Sequence, residues 1–347
     1  MDTKKGYDPA RFDEAATNWY NGVKRDSRPF TPGMDEAREL VGEFVRTLLA
    51  GRDLHPLEWA GPWEPNVAAA NCYRGKQESV GWHSDVLQYL GPQATIASLT
   101  LGVGRPFRLR PFIPSGPPSS SSNPTSATSP AEKAAPPALR TLEIYLPHNS
   151  LLIMHAGVQE TFKHCVPPVS GGMDVFKIPK DSLEAGLEFS EQDVEELLGK
   201  RWVQRINMTF QHYRPDFAPL PSSSYATLAT ASPDRYAGTP ICPCGVPCTL
   251  RPDGRGRVRA HLASSSASSS SRAVSAAQQA EADTERAAQF GDEMVYFWTC
   301  AAGAQNEGKT CGIWRLLDMK KERRGKWFQG IKTDEEGNGG ESAGHAV

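Results

Sequence analysis

Long apolar runs are missing from this sequence. Nothing in its 347 residues approaches the roughly 20 consecutive apolar positions of a membrane-spanning helix. Its opening stretch, MDTKKGYDPARFDEAATNW, lacks the apolar segment of a secretory leader. No membrane association is expected, and a nuclear or nucleo-cytoplasmic location is the default. Net charge is nearly absent too. Lys+Arg number 38 against 40 Asp+Glu, a balance of -2 at pH 7, so nucleic-acid contact would have to come from local patches. Cysteine is scarce in most of the chain: of seven, only Cys72 and Cys165 precede position 240, and the rest fall from Cys242 to Cys311. Without a leader, that clustering favours metal binding over disulfides.

Helical periodicity is sparse. Leu40, Val41, Phe44, Val45, Leu48 and Leu49 form an apolar stripe, with Thr31-Pro32 as a start signal and Gly51 as a stop. SEQDVEELLG, from Ser190 to Gly199, reads as a second, shorter helix. The remainder of the first 217 residues reads as strands, among them TIASLTL (Thr95 to Leu101), TLEIYL (Thr141 to Leu146) and SLLIM (Ser150 to Met154). Many strands with few helices imply a mainly β sandwich or barrel carrying helices on its outside. Two Ser/Pro/Ala-rich stretches, about 111–138 and 261–288, read as disordered insertions, and 331–347 as a disordered tail. Residues 219–240 read as a linker between a first domain, 1–218, and a second, 241–330.

His83 and Asp85, in WHSD, sit between apolar neighbours, and burying two ionisable side chains without partners is costly. A lone His-x-Asp recurs by chance in surface strands and turns, so a third partner is needed. MHAGVQETFKHCVP supplies His155 and His164 close after a strand. Two imidazoles and a carboxylate are the ligand set of non-haem Fe(II) oxygenases, leaving open positions for oxygen and a co-substrate. In VQRINMTFQ the period is two: Ile206, Met208 and Phe210 are expected against a packed layer. Arg205, Asn207, Thr209 and Gln211 then face water or a wet cavity.

Asn71-x-Tyr73, WHSD, ASLTLG, SLLIM…KHCVP and RINMTF, in that order, resemble the AlkB-type Fe(II)/2-oxoglutarate-dependent dioxygenases, over about residues 66 to 217. The resemblance implies a double-stranded β-helix (jelly-roll) core and oxidative removal of alkyl groups from bases of DNA or RNA, with O2 as co-substrate. It places iron on His83, Asp85 and His164, and gives His155 a core or pocket role. Arg205 would grip the distal carboxylate of 2-oxoglutarate, for which a planar guanidinium is apt, with Asn71, Tyr73, Asn207 and Gln211 completing that pocket. Reaching a base-pairing nitrogen implies a single-stranded or locally opened substrate.

The sequence departs from that pattern at three points. Gln211 stands where the family usually has arginine, with Arg214 as the possible substitute. Leu87 stands where an acid is frequent, and only about 80 residues precede His83. These departures motivate a second reading, a nucleic-acid-binding protein whose dioxygenase core is catalytically weakened. A third keeps the dioxygenase and changes the substrate to RNA or protein.

In the C-terminal part, Cys242, Cys244, Cys300 and Cys311 form a four-thiolate set suited to structural zinc. The order C-x-C-G, an aromatic pair before a third cysteine, then C-x-x-W is similar to GRF-type zinc fingers, which implies a small zinc-bound β module that holds single strands. Cys248 is excluded as a ligand. Arg255 and Arg257 are expected to contact phosphates, and Tyr296 and Trp314 to stack on bases. A monomer is expected.

Overall fold

The structure is a computed structural model. It describes residues 29–111, 140–172, 174–182, 190–217, 238–240, 242–243, 247–254, 294–301 and 309–328, together with the backbone of a strand pair at 18–20 and 23–25. The expected insertions, residues 219–237 of the linker, the tail, Cys244, Arg255 and Arg257 lie outside the described residues.

After the short hairpin β1 (Asn18–Tyr20) and β2 (Val23–Arg25) comes helix α1, Pro32–Ala50. Proline suits its first turn, where a missing N–H costs nothing. At its end the Gly51 N–H reaches the Leu48 and Leu49 carbonyls. Eight strands then build two antiparallel sheets. The major sheet runs in the order β3 (Val67–Arg74), β10 (Gln204–Gln211), β5 (Ile96–Gly102), β8 (Ser150–Met154). The minor sheet runs β4 (Val80–His83), β9 (Phe162–Val166), β6 (Arg105–Pro111), β7 (Leu142–Leu146). Two stacked four-stranded sheets joined by crossovers are the jelly roll that the sequence implies.

Period-two alternation separates the two faces of the major sheet. One face packs on α1: Val41 and Val45 bury against Ala97, Met208 and Phe210, flanked by Leu99, Leu151 and Ile153. Truncating a fully buried side chain such as Phe210 would cost about 3–5 kcal/mol. The helix stripe is narrower than the sequence suggests. Leu40, Phe44 and Leu48 are 63%, 57% and 39% exposed, because a helix resting on one flat sheet presents only a narrow arc to it. Ile206 is likewise 41% exposed rather than packed with Met208 and Phe210, since it lies nearer the end of the strand that α1 does not cover.

Tight geometry closes β5. Gly102 has φ +83, and a Cβ there would stand 2.3 Å from the Gln204 carbonyl oxygen. A short helix α2, Val158–Thr161, links β8 to β9. Helix α3, Glu191–Gly199, stands where SEQDVEELLG reads as one, and a capping box between Ser190 and Asp193 starts it.

A third antiparallel sheet, β11 (Thr249–Pro252), β12 (Tyr296–Thr299) and β13 (Trp314–Leu316), follows. Its buried residues Leu250, Tyr296 and Trp298, with Leu317 and Met319 just beyond β13, belong to the same core cluster as Leu87, Leu90, Ile96, Phe107 and Phe217. Beneath the contact lies a charged network. Arg214 donates to both Asp216 oxygens, at 3.0 and 2.7 Å. Arg324 donates to Glu322 and to the Asp216 and Gly238 carbonyls, with its guanidinium over the Phe217 and Trp298 rings.

Candidate active site

His83 ends β4, and its Cα partner across the ladder is His164 on β9. Cross-strand partners share a face, so the two imidazoles meet, with ring centroids 4.3 Å apart. The Phe107 ring stacks on the far side of His164, centroids 5.4 Å apart. Asp85, two residues beyond His83, returns to the same face. Its loop is fastened at two points: Ser84 Oγ donates to the Phe162 carbonyl at 2.8 Å, and the Asp85 N–H donates to Gln159 Oε1 at 2.8 Å.

One ligand atom from each of His83, Asp85 and His164 lies within 4.8 Å of the others. His83 Nδ1 is 2.8 Å from the Gly81 carbonyl. A carbonyl can only accept, so Nδ1 carries a proton and Nε2, 3.9 Å from Asp85 Oδ1, is the nitrogen turned toward the cluster. Burial pushes the His164 pKa down to about 3, with the nearby His83 adding to the effect, so this imidazole is neutral. Burial raises the pKa of Asp85, and His83 draws it back down. Asp85 Oδ2 and His164 Nδ1 are shut off from solvent without a hydrogen-bond partner. Such orphans are rare in finished interiors. A divalent first-row metal suits two imidazoles and a carboxylate, and coordination would satisfy buried donors that protein leaves open.

Across the jelly roll, the inward face of the major sheet carries Tyr73, Arg205 and Thr100 with Asn71 and Asn207, set side by side by the register Tyr73–Arg205–Gly102 and Asn71–Asn207–Thr100. Arg205 is fully buried. One terminal nitrogen donates to Thr100 Oγ1 at 2.9 Å and Asn207 Oδ1 at 2.8 Å, whereas Nε and the other terminal nitrogen have no partner. Ser98 Oγ donates to Asn207 Oδ1 at 2.8 Å, and Asn207 Nδ2 donates to Thr209 Oγ1 at 2.9 Å. Burial lowers the Arg205 pKa to about 10, which leaves it charged at neutral pH. A buried cation whose Nε and one terminal nitrogen still lack partners is ready for a carboxylate.

Arg105, on the minor sheet, faces the same way as Phe107, and its guanidinium lies 5.7 Å from the Tyr73 ring centroid; that of Arg205 lies 5.5 Å from it. The inward rows of the two sheets therefore line one space, with the His/Asp cluster on one wall and Arg205 on the other.

Asn71 is exposed at the open edge of this wall, and Gln211 is half-buried between Val67 and Ile96. Arg214 does not replace an arginine at position 211: it is locked by Asp216, the Leu57 carbonyl and the Pro92 carbonyl. Leu87 is a core residue. His155 stands apart from the converging three, half-buried, with Nδ1 unpartnered.

Sequence reasoning missed Thr100, Ser98, Arg105 and Gln159. The first two were legible, because Ser98 and Thr100 alternate with Ala97, Leu99 and Leu101 within a segment read simply as a strand. Nothing local marks Gln159, or Arg105, which clamps the Gly75, Glu78 and Pro167 carbonyls.

In the C-terminal part, thiols of Cys242, Cys300 and Cys311 converge within 4.8 Å, with Cys242 and Cys300 Sγ atoms 3.6 Å apart. Cys248 is not in that group; burial, then the neighbouring Cys242, pushes its thiol up to about 12. Trp314 is 47% exposed and its ring lies 5.8 Å from that of Phe297. Tyr296 corrects the expectation of an exposed stacking residue. Only 1% of it is exposed, and its hydroxyl donates to Glu160 Oε1 at 3.0 Å and accepts from Gln93 Nε2 at 2.8 Å. Tyr296 and Trp298 share one face of β12, and that face is the buried one.

Among the described residues no helix is long and apolar enough to cross a membrane. The chain is similar to "Alpha-ketoglutarate-dependent dioxygenase alkB homolog 3" of Rattus norvegicus, 34% identical over 163 residues, which are 47% of this chain and 40% of the relative. The protein of that name from Homo sapiens is 34% identical over 102 residues, 29% of this chain and 30% of the relative. "DNA oxidative demethylase ALKBH2" of Arabidopsis thaliana is 33% identical over 104 residues, 29% of this chain and 32% of the relative. The chain thus spans less than half the length of these curated relatives. A solved chain, "The structure of OsALKBH1", superposes with a TM-score of 0.30 and 16% identity, over 57% of this chain and 70% of that one. The family model of the 2OG-Fe(II) oxygenase superfamily matches residues 10–211, more than half of the chain and all of the jelly roll's strands, and the chain belongs to that superfamily.

Proposed function

We propose that this chain is an Fe(II)- and 2-oxoglutarate-dependent dioxygenase that removes alkyl groups from N-alkylated bases of DNA or RNA, and that its C-terminal sheet is a GRF-type zinc finger holding single-stranded nucleic acid. One observation carries the catalytic reading. Two imidazoles and a desolvated carboxylate converge on one wall of the jelly roll, and Arg205 offers unpartnered nitrogens from the other. In this reading His83, Asp85 and His164 hold Fe(II), which when bound supplies the oxidising chemistry toward the alkyl carbon. Arg205 takes the distal carboxylate of the co-substrate, and Thr100 and Asn207 hold its guanidinium in plane. Tyr73 packs under that guanidinium and, with Arg105, shuts the pocket against water. The names of the relatives support a nucleic-acid substrate.

The zinc reading is supported by the three converging thiols, and the C-x-C-G pattern of the sequence would make Cys244 the fourth ligand. Trp314 and Phe297 supply the stacking surface, with Arg255 and Arg257 as phosphate contacts. The construction suits a nuclear protein that grips a strand at one end and oxidises a base at the other.

Anaerobically iron-loaded protein, mixed with 2-oxoglutarate, air and a methylated single-stranded oligonucleotide, should release succinate and formaldehyde in equal amounts. Iron binding without turnover on methylated DNA or RNA would reject the catalytic reading and leave a nucleic-acid-binding protein. Arg205→Lys should raise the KM for 2-oxoglutarate about tenfold or more, because one ammonium cannot hold Thr100 and Asn207 and reach a carboxylate as the planar guanidinium can.

A further inference from the structure

Gln159 and Glu160 are adjacent on the four-residue helix α2, and both are buried. They reach in different directions. Gln159 Oε1 accepts the backbone N–H of Asp85 at 2.8 Å, while its Nε2 rests on Met154 Sδ at 3.5 Å. Glu160 Oε1 accepts the Gln93 N–H at 2.8 Å and the Tyr296 hydroxyl at 3.0 Å. Gln93 adopts φ 57, unfavourable for a residue with a Cβ, and its side chain donates to the same Tyr296 hydroxyl at 2.8 Å. Both hydrogen bonds to this buried carboxyl fall on Oε1, while Oε2 has none, so each of the two carries weight. One of them comes from β12 of the C-terminal sheet, 136 positions along the chain. A single turn of helix therefore joins the backbone of Asp85 to the C-terminal sheet.

We propose that Gln159 is a positioning residue for the metal centre, and that Tyr296, acting through Glu160, holds the turn that carries it. The C-terminal sheet then contributes to metal affinity in addition to any hold on nucleic acid. The physical reason is reach. Asp85 lies beyond the end of β4, where no ladder hydrogen bond fixes its backbone, so the Ser84 and Gln159 contacts set where its carboxylate points. Without the Gln159 contact the loop hangs from Ser84 alone. Removing groups that orient a ligand from outside the coordination sphere typically costs 10- to 100-fold in metal affinity.

This inference rests on the metal reading above. The test is anaerobic Fe(II) titration of full-length, zinc-loaded protein with excess 2-oxoglutarate, following the visible charge-transfer band of the Fe(II)–2-oxo acid chelate. Thiolate-bound zinc does not give that band. Gln159→Met, close in volume but without a strong acceptor, should weaken Fe(II) binding about tenfold with its circular dichroism unchanged. Gln159→Glu, which keeps the acceptor oxygen, should recover most of the loss. Tyr296→Phe, which deletes one oxygen, should weaken binding by a smaller factor of about threefold, and it carries the test if Gln159→Met fails to fold. Wild-type affinity in folded Gln159→Met and Tyr296→Phe would overturn the inference alone. A wild-type chain that develops no band, or keeps it in His164→Ala, would fail the metal reading and this inference with it.

Discussion

Two regions of this protein gather charge in the interior, and they differ in one respect. At the junction between the jelly roll and the C-terminal sheet, Arg214, Asp216, Glu322 and Arg324 are buried, and each is paired. In the jelly roll's mouth, Asp85, His164 and Arg205 are also withdrawn from water, yet each keeps a buried atom with no partner. Both arrangements carry a desolvation cost. At the junction the protein itself offsets it; in the mouth the offset is left to something that binds. Buried charge alone does not mark a functional site. Ionisable groups from several strands whose unsatisfied atoms face one another do, whereas a lone orphan such as Glu160 Oε2 does not.

That contrast predicts opposite outcomes for removing one charge from each region. The largest effect is expected from Asp85→Ala. Losing the only carboxylate of the ligand set should abolish measurable iron binding and succinate formation. Stability of the metal-free protein should be unchanged or slightly higher, because a desolvated, unpartnered oxygen has been removed. Calorimetry of metal-free wild type and variant checks this, and a large drop in the variant's transition would place Asp85 with the structural charges.

Arg324→Met should do the reverse. Glu322 would lose its closest partner, although Arg315 remains at 3.4 Å, and the Asp216 and Gly238 carbonyls would lose their donor. Breaking a buried pair of this kind costs about 3–5 kcal/mol, read from urea unfolding. Because Asp216 lies a few residues after β10 and the core cluster runs through Phe217 into Trp298, one transition for the whole protein should move. If only a C-terminal transition moves, the two regions fold separately.

Much of the fold was legible because it rests on periodicity. Ser150 to Met154 appears as a strand with the expected limits, and the alternation in VQRINMTFQ puts Arg205 and Asn207 on one face. The spacing of His83 and Asp85 likewise survives folding as a shared face. What escaped depends on contacts between distant segments. Tyr296 looks like an exposed aromatic until Glu160 and Gln93 are brought to it, 136 and 203 positions away. Gln159 has no local signal, since its importance lies in the backbone N–H that it meets. Which half of the α1 stripe is buried depends on how the helix lies on the sheet, and no single-helix pattern encodes that.

The smallest predicted effect lies between the two regions, at His212. It follows β10 directly, its Nδ1 is 2.7 Å from the Glu64 carbonyl, its ring lies 5.8 Å from Trp59, and Nε2 has no partner. Burial pushes its pKa down to about 4; the Glu64 carbonyl bond opposes this and the nearby Arg214 reinforces it, while Asp216 and Glu64 draw it partly back. The unfolded histidine takes a proton near its ordinary value of about 6.5. Between that pH and about 4 the unfolded chain binds a proton that the folded chain refuses, so stability falls as pH falls through this window. Above it the group contributes no slope. From pH 7 to pH 5 the contribution is about 2 kcal/mol, and His212→Gln should remove it, giving a flatter urea-midpoint profile than wild type. Parallel profiles would mean that folded His212 takes up its proton over the same pH range as the unfolded chain, its Nε2 open to a partner, which would move it from the orphaned class to the paired one.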